Sequence, residues 1–212
     1  SFFSLSRLKE LPKERKTTKI MTKQSWKYLG KVIVVNSLGG VGIGLVAPLL
    51  PLWLQLMYHV GTVEIGALFT TVYLTTAIGL YFSLKFAHKF TSLSIASATR
   101  VFSGLLLVAM AFSPTFLIAA VFWLARAVIS GFGNPSRINV NIRGISNEDY
   151  GTASSIQGVA TRIAQLSSGA YGYLMDVYLP LPIFVGGLFQ FASGIGYRIV
   201  FGKKGSEERK KN

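Results

Sequence analysis

The feature that most constrains this chain is the interval between Lys31 and Lys85, which contains no lysine or arginine and a single acid, Glu64. Roughly 20 apolar residues, each rising about 1.5 Å, cover the hydrocarbon core of a bilayer, so the interval can hold two membrane-spanning helices. Hydrophobic residues make up 50% of the chain and charged residues only 14%, which is typical of a membrane protein. The sequence therefore predicts an all-α polytopic membrane protein.

Polar or proline-containing turns divide the chain into six predicted transmembrane helices, numbered here as spans 1 to 6. The spans cover residues 32–57, 65–85, 94–112, 115–138, 151–175 and 183–201. We expect residues 1–31 to form a basic connection, 32–202 the transmembrane domain and 203–212 a basic tail. The opening residues Ser1 to Leu5 look like the end of a preceding apolar helix, which predicts that the chain is a fragment of a longer protein.

The basic residues predict the orientation of the spans. All of them except Arg126 and Arg162 lie on one predicted side, with Arg100 and Arg137 counted at the span ends there. Because basic loops resist translocation, both termini are expected to be cytoplasmic, in the plasma (cell) membrane, with Tyr197 at the inner interface and Trp53 at the outer one. The basic residues that give the chain its net charge of +14 are thus expected to set the topology and to attract anionic lipid headgroups. Nucleic-acid binding is not expected.

Arg126 is the most informative polar residue inside a span. It lies roughly 16–18 Å from either end of its helix, near the bilayer midplane, where an arginine costs about 2.5–3.5 kcal/mol on insertion scales. Ser130 and Asn134 continue its helical face toward the cytoplasmic side. We interpret this strip as part of a substrate path; the alternative is a buried arginine held by backbone carbonyls or a structural partner.

Further polar groups are embedded in spans 1, 2 and 5. Arg162 is also deep, no acid of this chain shares its depth, and Gln165 could hold it as a structural partner. Asn36, Thr71 and Thr75 belong to stripes of small and polar residues at helical spacing. Such stripes serve either as helix-packing seams or as a polar path, and both interpretations remain open.

No motif of enzyme chemistry fits its context. Residues 42–47 match a dinucleotide pattern but lie inside one apolar span without the required strand. Phosphate-loop, HExxH and nucleophile-elbow motifs are absent from the sequence, as is cysteine, and His59 and His88 lie in predicted loops on opposite sides. We therefore expect no catalytic residue, no cofactor and no metal, and a protein that is not an enzyme.

Several motifs occur in a specific order along the chain. Residues 44–53 read GLVAPLLPLW, Arg126 is followed by GNPSR at 133–137, and EDYGTA at 148–153 opens span 5. A weak internal repeat matches the acid before Gly66 to the acid before Gly151. In these features residues 5–202 resemble the C-terminal six-helix half of a twelve-helix transporter of the major facilitator superfamily.

This resemblance implies a 3+3 inverted repeat in which spans 1, 2, 4 and 5 line a central cavity and spans 3 and 6 lie outside it, with Gln190 in packing. The candidate substrate-path residues are Asn36, Thr71, Thr75, Arg126, Ser130, Asn134, Arg162 and Gln165.

The expected function is alternating-access transport of a small solute, and the unpaired arginines favour an anionic or carboxylate-bearing substrate. The expected partners are the lipid bilayer and a missing N-terminal six-helix half or a second copy. The alternative is a complete six-helix membrane protein that acts as a homodimeric half-transporter or as a non-transporting interaction protein.

Overall fold

The computed structural model describes residues 21–86 and 89–209, with the backbone alone described from residue 203 onward. Most of the predicted basic connection and the last three residues of the tail lie outside this part. The described residues form helices and turns, with no strand. The eight α-helices are α1 Lys23–Gly44, α2 Leu50–Tyr58, α3 Thr62–Phe86, α4 Ser92–Ala111, α5 Phe116–Ile142, α6 Tyr150–Gln165, α7 Tyr171–Val177 and α8 Leu181–Arg209.

Four of these helices are long and apolar enough to cross a membrane. They are α3, α4, α5 and the part of α8 from Leu181 to Gly202, and each contains an 18-residue window with a mean hydropathy of 1.3 to 1.9. They correspond to predicted spans 2, 3, 4 and 6. The all-helical class and the membrane character expected from composition therefore rest on these four helices.

Predicted spans 1 and 5 are each interrupted in the structure. Span 1 is divided into α1 and α2 by turns at residues 45–49, and α2 starts with a proline in its first turn. Proline lacks an amide hydrogen and clashes with the preceding turn, so it cannot continue α1. Span 5 is divided into α6 and α7 by the 3-10 segment Leu166–Ala170. Helix α1 also begins nine residues before the predicted start of span 1.

The two interruptions lie against each other. The hydroxyl of Ser167 donates to the carbonyl oxygen of Val41 at 3.0 Å, and the hydroxyl of Tyr171 donates to that of Leu49 at 3.3 Å. Both carbonyl oxygens also accept from backbone amides, those of Leu45 and Trp53, and each has two lone pairs. The side-chain hydroxyls therefore add hydrogen bonds that join the interruption of span 5 to that of span 1.

Glycine allows the principal helices to pack at backbone distance. A Cβ atom at Gly104 of α4 would lie 2.5 Å from the amide nitrogen of Phe191 in α8, and one at Gly79 of α3 would lie 2.1 Å from the carbonyl oxygen of Val128 in α5. Lipid provides no hydrophobic drive for helix association, so such close contact is a main source of stability between membrane helices.

The helices pack in the spatial order α3, α5, α4, α8, α1 and α6, so that α3 and α6 lie at the two edges. One apolar cluster, including Trp53, Leu107 and Trp123, fills one end of the bundle. A smaller cluster that includes Val140 and Phe201 packs between α1, α4, α5 and α8 toward the other end. The polar residues between these two apolar regions form the candidate site.

A buried carboxylate joins the start of α1 to the start of α6. Asp149 accepts hydrogen bonds from the backbone nitrogen and hydroxyl of Thr22 at 3.2 and 3.0 Å, and from the hydroxyl of Ser146 at 2.7 Å. The hydrogen bonds from Ser146 and then Ser25 and Thr22 lower the pKa of Asp149 from 3.8 to about 2. This contact fixes the helix ends at the predicted cytoplasmic side.

Candidate functional site

Two adjoining cavities lie between the helices. The first has a volume of about 290 Å³ and is bounded by α1, α4, α5, α6 and α8. The second, of about 420 Å³, shares part of its lining with the first and extends toward the end of α5 and the start of α6. The polar residues that line the first cavity are Asn36, Arg100, Ser103, Arg126, Ser130, Asn134, Arg137, Asn141, Gln157, Thr161, Gln165 and Gln190.

Arg100 on α4 is held by neutral partners in the first cavity. Its guanidinium donates to the hydroxyl of Ser193 at 3.0 Å and to the side-chain oxygen of Asn36 at 3.2 Å. The side chain passes directly over Gly39, where a Cβ atom would lie 1.4 Å from its Nη1 atom. Glycine at this position thus makes room for the guanidinium between α1 and α8.

Asn36, Asn141 and Tyr197 form a buried polar network beside Arg100. The amide of Asn36 donates to the side-chain oxygen of Asn141 at 3.1 Å, and the hydroxyl of Tyr197 lies within hydrogen-bond distance of both asparagine oxygens, at 2.8 and 3.0 Å. A buried hydrogen bond contributes modestly to stability, whereas breaking it leaves a buried polar group without a partner, which is costly in free energy. The network therefore links α1, α5 and α8 at the inner wall of the cavity.

Arg137 and Arg126 on α5 differ in their partners. Arg137 reaches back along its own helix and donates to the carbonyl oxygen of Ser130 at 2.9 Å. The guanidinium of Arg126 is stacked 4.5 Å from the centre of the Trp123 ring, and its buried Nε atom has no hydrogen-bond partner among the described residues. One face of Arg126 is thus occupied by an aromatic ring, and its Nε donor has no acceptor in the described part of the chain.

The cavity concentrates positive charge without a compensating acid. Three arginines line it, and none of the described acids Glu64, Glu148, Asp149 and Asp176 lies in either lining. Arginine stays protonated in proteins, and a buried charge without a counter-charge is costly. The cavity is therefore chemically suited to an anion, which would supply the missing negative charge.

The structure brings together five of the eight predicted path residues in the first cavity, namely Asn36, Arg126, Ser130, Asn134 and Gln165. Arg162 lines the second cavity, is exposed, and donates to the side-chain oxygen of Gln165 at 3.1 Å. Thr71 and Thr75 line neither cavity. Their hydroxyls donate to carbonyl oxygens one turn back in α3, those of Ala67 and Thr71, which satisfies them within their own helix.

Sequence reasoning missed several residues of the site. The sequence predicts Arg100 at a cytoplasmic helix end, but it lies about 12 Å beyond the start of α4. The resemblance predicts that Gln190 serves in packing, yet it lines the cavity while donating to the carbonyl of Gly39 at 3.1 Å. Predicted spans 3 and 6 thus contribute to the lining and do not lie wholly outside it. The depth of Arg100 within its own predicted span was the signal that could have revealed it.

Two of the aromatic residues expected at the membrane interfaces pack inside the protein and do not face lipid headgroups. Tyr197 and Trp53 are both fully buried. Tyr197 belongs to the polar network and Trp53 to the larger apolar cluster. An aromatic residue near a helix end has the same sequence signature whether it packs inward or faces the headgroups, so the sequence alone could not separate the two.

Comparisons of the chain with protein-family models, curated proteins and solved structures give no match.

Proposed function

We propose that this chain is one six-helix half of a secondary membrane transporter that moves a small anionic solute by alternating access. The observation that carries the proposal is the first cavity, in which three arginines and no described acid meet between helices of membrane-spanning length. Charged residues inside membrane domains usually face a substrate pathway or a water-filled cavity. Arg126 is the principal binding residue because it lines the cavity and its Nε has no acceptor among the described residues.

The two ends of the cavity differ in a way that fits one state of an alternating-access cycle. Trp123 and Leu107 belong to the larger apolar cluster, which lies between the cavity and one end of the bundle. Toward the other end the second cavity continues past Gln157 and Ser154 to the start of α6. With both termini cytoplasmic and the protein in the plasma membrane, as proposed, this conformation opens toward the cytoplasm.

The helix packing supports a 3+3 inverted repeat of six spans. In this repeat α1 with α2 corresponds to α5, α3 to α6 with α7, and α4 to α8. When each helix is replaced by its counterpart, the α3–α5 contact becomes the α6–α1 contact, and the α4–α5 contact becomes the α8–α1 contact. The α4–α8 contact maps onto itself, and all of these contacts are present in the structure. The two interrupted spans meet beside the cavity, where transporters often place broken helices.

The exposed face of α6 supports a second six-helix unit. Arg162 is exposed there, and a Cβ atom at Gly158, Gly169 or Gly172 of the same span would meet no described atom within 4 Å. An arginine is costly against lipid tails, so protein or water is expected to cover this face. The second unit is either the other half of a longer polypeptide, as in the major facilitator superfamily, or a second copy of this chain.

Uptake into proteoliposomes tests the proposed function. The purified full-length protein is incubated with an equimolar mixture of small organic anions, cations and neutral solutes, and the vesicle contents are measured by mass spectrometry. We expect one or more anions to enter. The R126Q variant should lose this uptake, whereas R198Q, which removes an exposed arginine outside both cavities, should retain it.

Uptake of cations alone, or anion uptake that R126Q leaves intact, would contradict the proposal.

The intact mass of the native product identifies the second unit. A mass near twice 23.1 kDa indicates a two-half polypeptide, and a mass near 23.1 kDa indicates that two copies pair.

A further inference from the structure

The first cavity is rich in carboxamides as well as arginines. Six of its lining residues are asparagine or glutamine: Asn36, Asn134, Asn141, Gln157, Gln165 and Gln190. Carboxamides carry no charge, so they add nothing to the attraction for an anion. Each offers two donors and an acceptor that can accommodate an uncharged polar group.

Four of these six carboxamides already have partners in the protein. Asn36 and Asn141 belong to the buried network, Gln190 donates to the carbonyl of Gly39, and Gln165 accepts from Arg162. The side chains of Asn134 on α5 and Gln157 on α6 form no hydrogen bond with any residue that the structure describes. These two amides, one from α5 and one from α6, therefore remain available in the lining of the cavity.

The available groups are arranged along the cavity. Arg126 precedes Asn134 by eight residues on α5, which corresponds to about 12 Å along the helix axis. Its unpartnered Nε is buried at one end, and its guanidinium is fixed in orientation by Trp123. A fixed guanidinium presents a fork that binds a carboxylate or phosphate through two parallel hydrogen bonds.

From this arrangement we propose that the substrate is a hydroxylated organic anion. Its carboxylate or phosphate head binds Arg126, and hydroxyl groups along its body bind Asn134 and Gln157. A hydroxyl both donates and accepts, as a carboxamide does, so the two match without leaving either group unpaired. This inference rests on the proposed transport function and narrows its substrate class.

Four six-carbon probes separate the head group from the hydroxyl groups. Gluconate and sorbitol 6-phosphate have both features, hexanoate has the charge without hydroxyls, and sorbitol has hydroxyls without the charge. Binding of each probe to the purified full-length protein is measured by isothermal titration calorimetry. We expect gluconate or sorbitol 6-phosphate to bind at least tenfold more tightly than hexanoate and sorbitol, and the stronger of the two identifies the head group.

Variants assign the two parts of the ligand to their residues. R126Q should bind the preferred anion only as tightly as the wild type binds sorbitol. N134L or Q157L should bind it nearly as weakly as the wild type binds hexanoate. The matched control N139L changes another exposed asparagine of α5 that lines neither cavity, and it should bind as the wild type does.

The wild-type protein alone decides between the outcomes, so the test does not depend on any variant folding. Equal affinity for hexanoate and the hydroxylated anions overturns the role of the hydroxyls, and equal affinity for sorbitol overturns the role of the charge. If no probe binds to protein that takes up other anions into proteoliposomes, the substrate class is wrong while the proposed function stands. If no probe binds and no anion enters, both fall.

Discussion

The α4–α8 contact and the outer face of α6 contain similar small residues but differ in what surrounds them. At the contact, Gly104 and Gly194 lie so close to the opposite backbone that a Cβ atom would come within 2.6 Å of it. On α6, Gly158 has open space within 4 Å among the described residues, and Arg162 beside it is exposed. One region is a closed seam and the other is an open, polar surface.

This difference shows that a glycine stripe has no fixed meaning in a membrane protein. Close packing of small residues stabilises helix pairs when two stripes meet. When no helix covers the stripe, the same residues leave a shallow surface to which another protein can bind. The two regions therefore predict opposite responses to added side-chain volume.

The largest expected effect is the substitution G104A in the seam. The added methyl group would lie 2.5 Å from the amide nitrogen of Phe191 and 2.7 Å from the carbonyl oxygen of Gly187, and backbone atoms cannot move aside without shifting a helix. We expect a loss of about 2–3 kcal/mol in the free energy of unfolding. Denaturant titration of the purified protein in detergent measures it.

The matched control for G104A is G158A on the open face. It should leave the free energy of unfolding unchanged or raise it by up to about 1 kcal/mol, because alanine favours a helix more than glycine does. Equal losses for the two variants would mean that the seam and the open face do not differ in packing.

A smaller effect is expected for Y197F on α8. The substitution removes the hydroxyl that joins Asn36 and Asn141, and leaves their buried oxygens with fewer donors. We expect a loss of about 1–2 kcal/mol in the free energy of unfolding.

Y173F on α7 is the control for Y197F, since Tyr173 is 79% exposed beside the open face. It should change stability by less than about 0.5 kcal/mol. A similar loss for both variants, measured in the same titration, would contradict the difference between the packed and the open side.

Asp149 provides a pH-dependent contribution to stability at the start of α6. Its pKa in the folded protein, about 2, lies below the ordinary value of 3.8. The carboxylate therefore stabilises the fold above pH 3.8, and this stabilisation is lost as the pH falls toward 2.

Unfolding titrations at several pH values between 6 and 2 test this contribution. The wild type should lose stability on acidification more steeply than D149N, which cannot titrate at this position. Parallel pH profiles would show that the contact between Thr22 and Asp149 does not anchor α6.

The smallest expected loss of stability is that of G172L on α7, which sharpens the interpretation of the open face. Gly172 lines neither cavity and a Cβ atom there would meet no described atom within 4 Å, so leucine should lower the free energy of unfolding by no more than about 0.5 kcal/mol. If a second six-helix unit covers this face, the same variant should nevertheless lose transport in proteoliposomes. Normal transport by G172L would place the second unit elsewhere.

Much of the site could be predicted from the sequence because burial of charge in a membrane is a local signal. The distance of Arg126 from the nearest polar turns indicated its depth, and helical spacing placed Ser130 and Asn134 on its face. The same reasoning included Thr71 and Thr75, whose hydroxyls bond within α3 instead. Helical spacing gives the face of a residue but not the helix that this face meets.

By itself the sequence determined the membrane class, the approximate helix positions and the presence of a deep arginine without an acid nearby in the chain. These follow from hydropathy and periodicity, which depend only on neighbouring residues. Tertiary structure decided that Gly39 leaves room for Arg100 and that Tyr197 joins Asn36 and Asn141 in one buried network. These contacts join residues far apart in the chain, and only the packing of the helices brings them together.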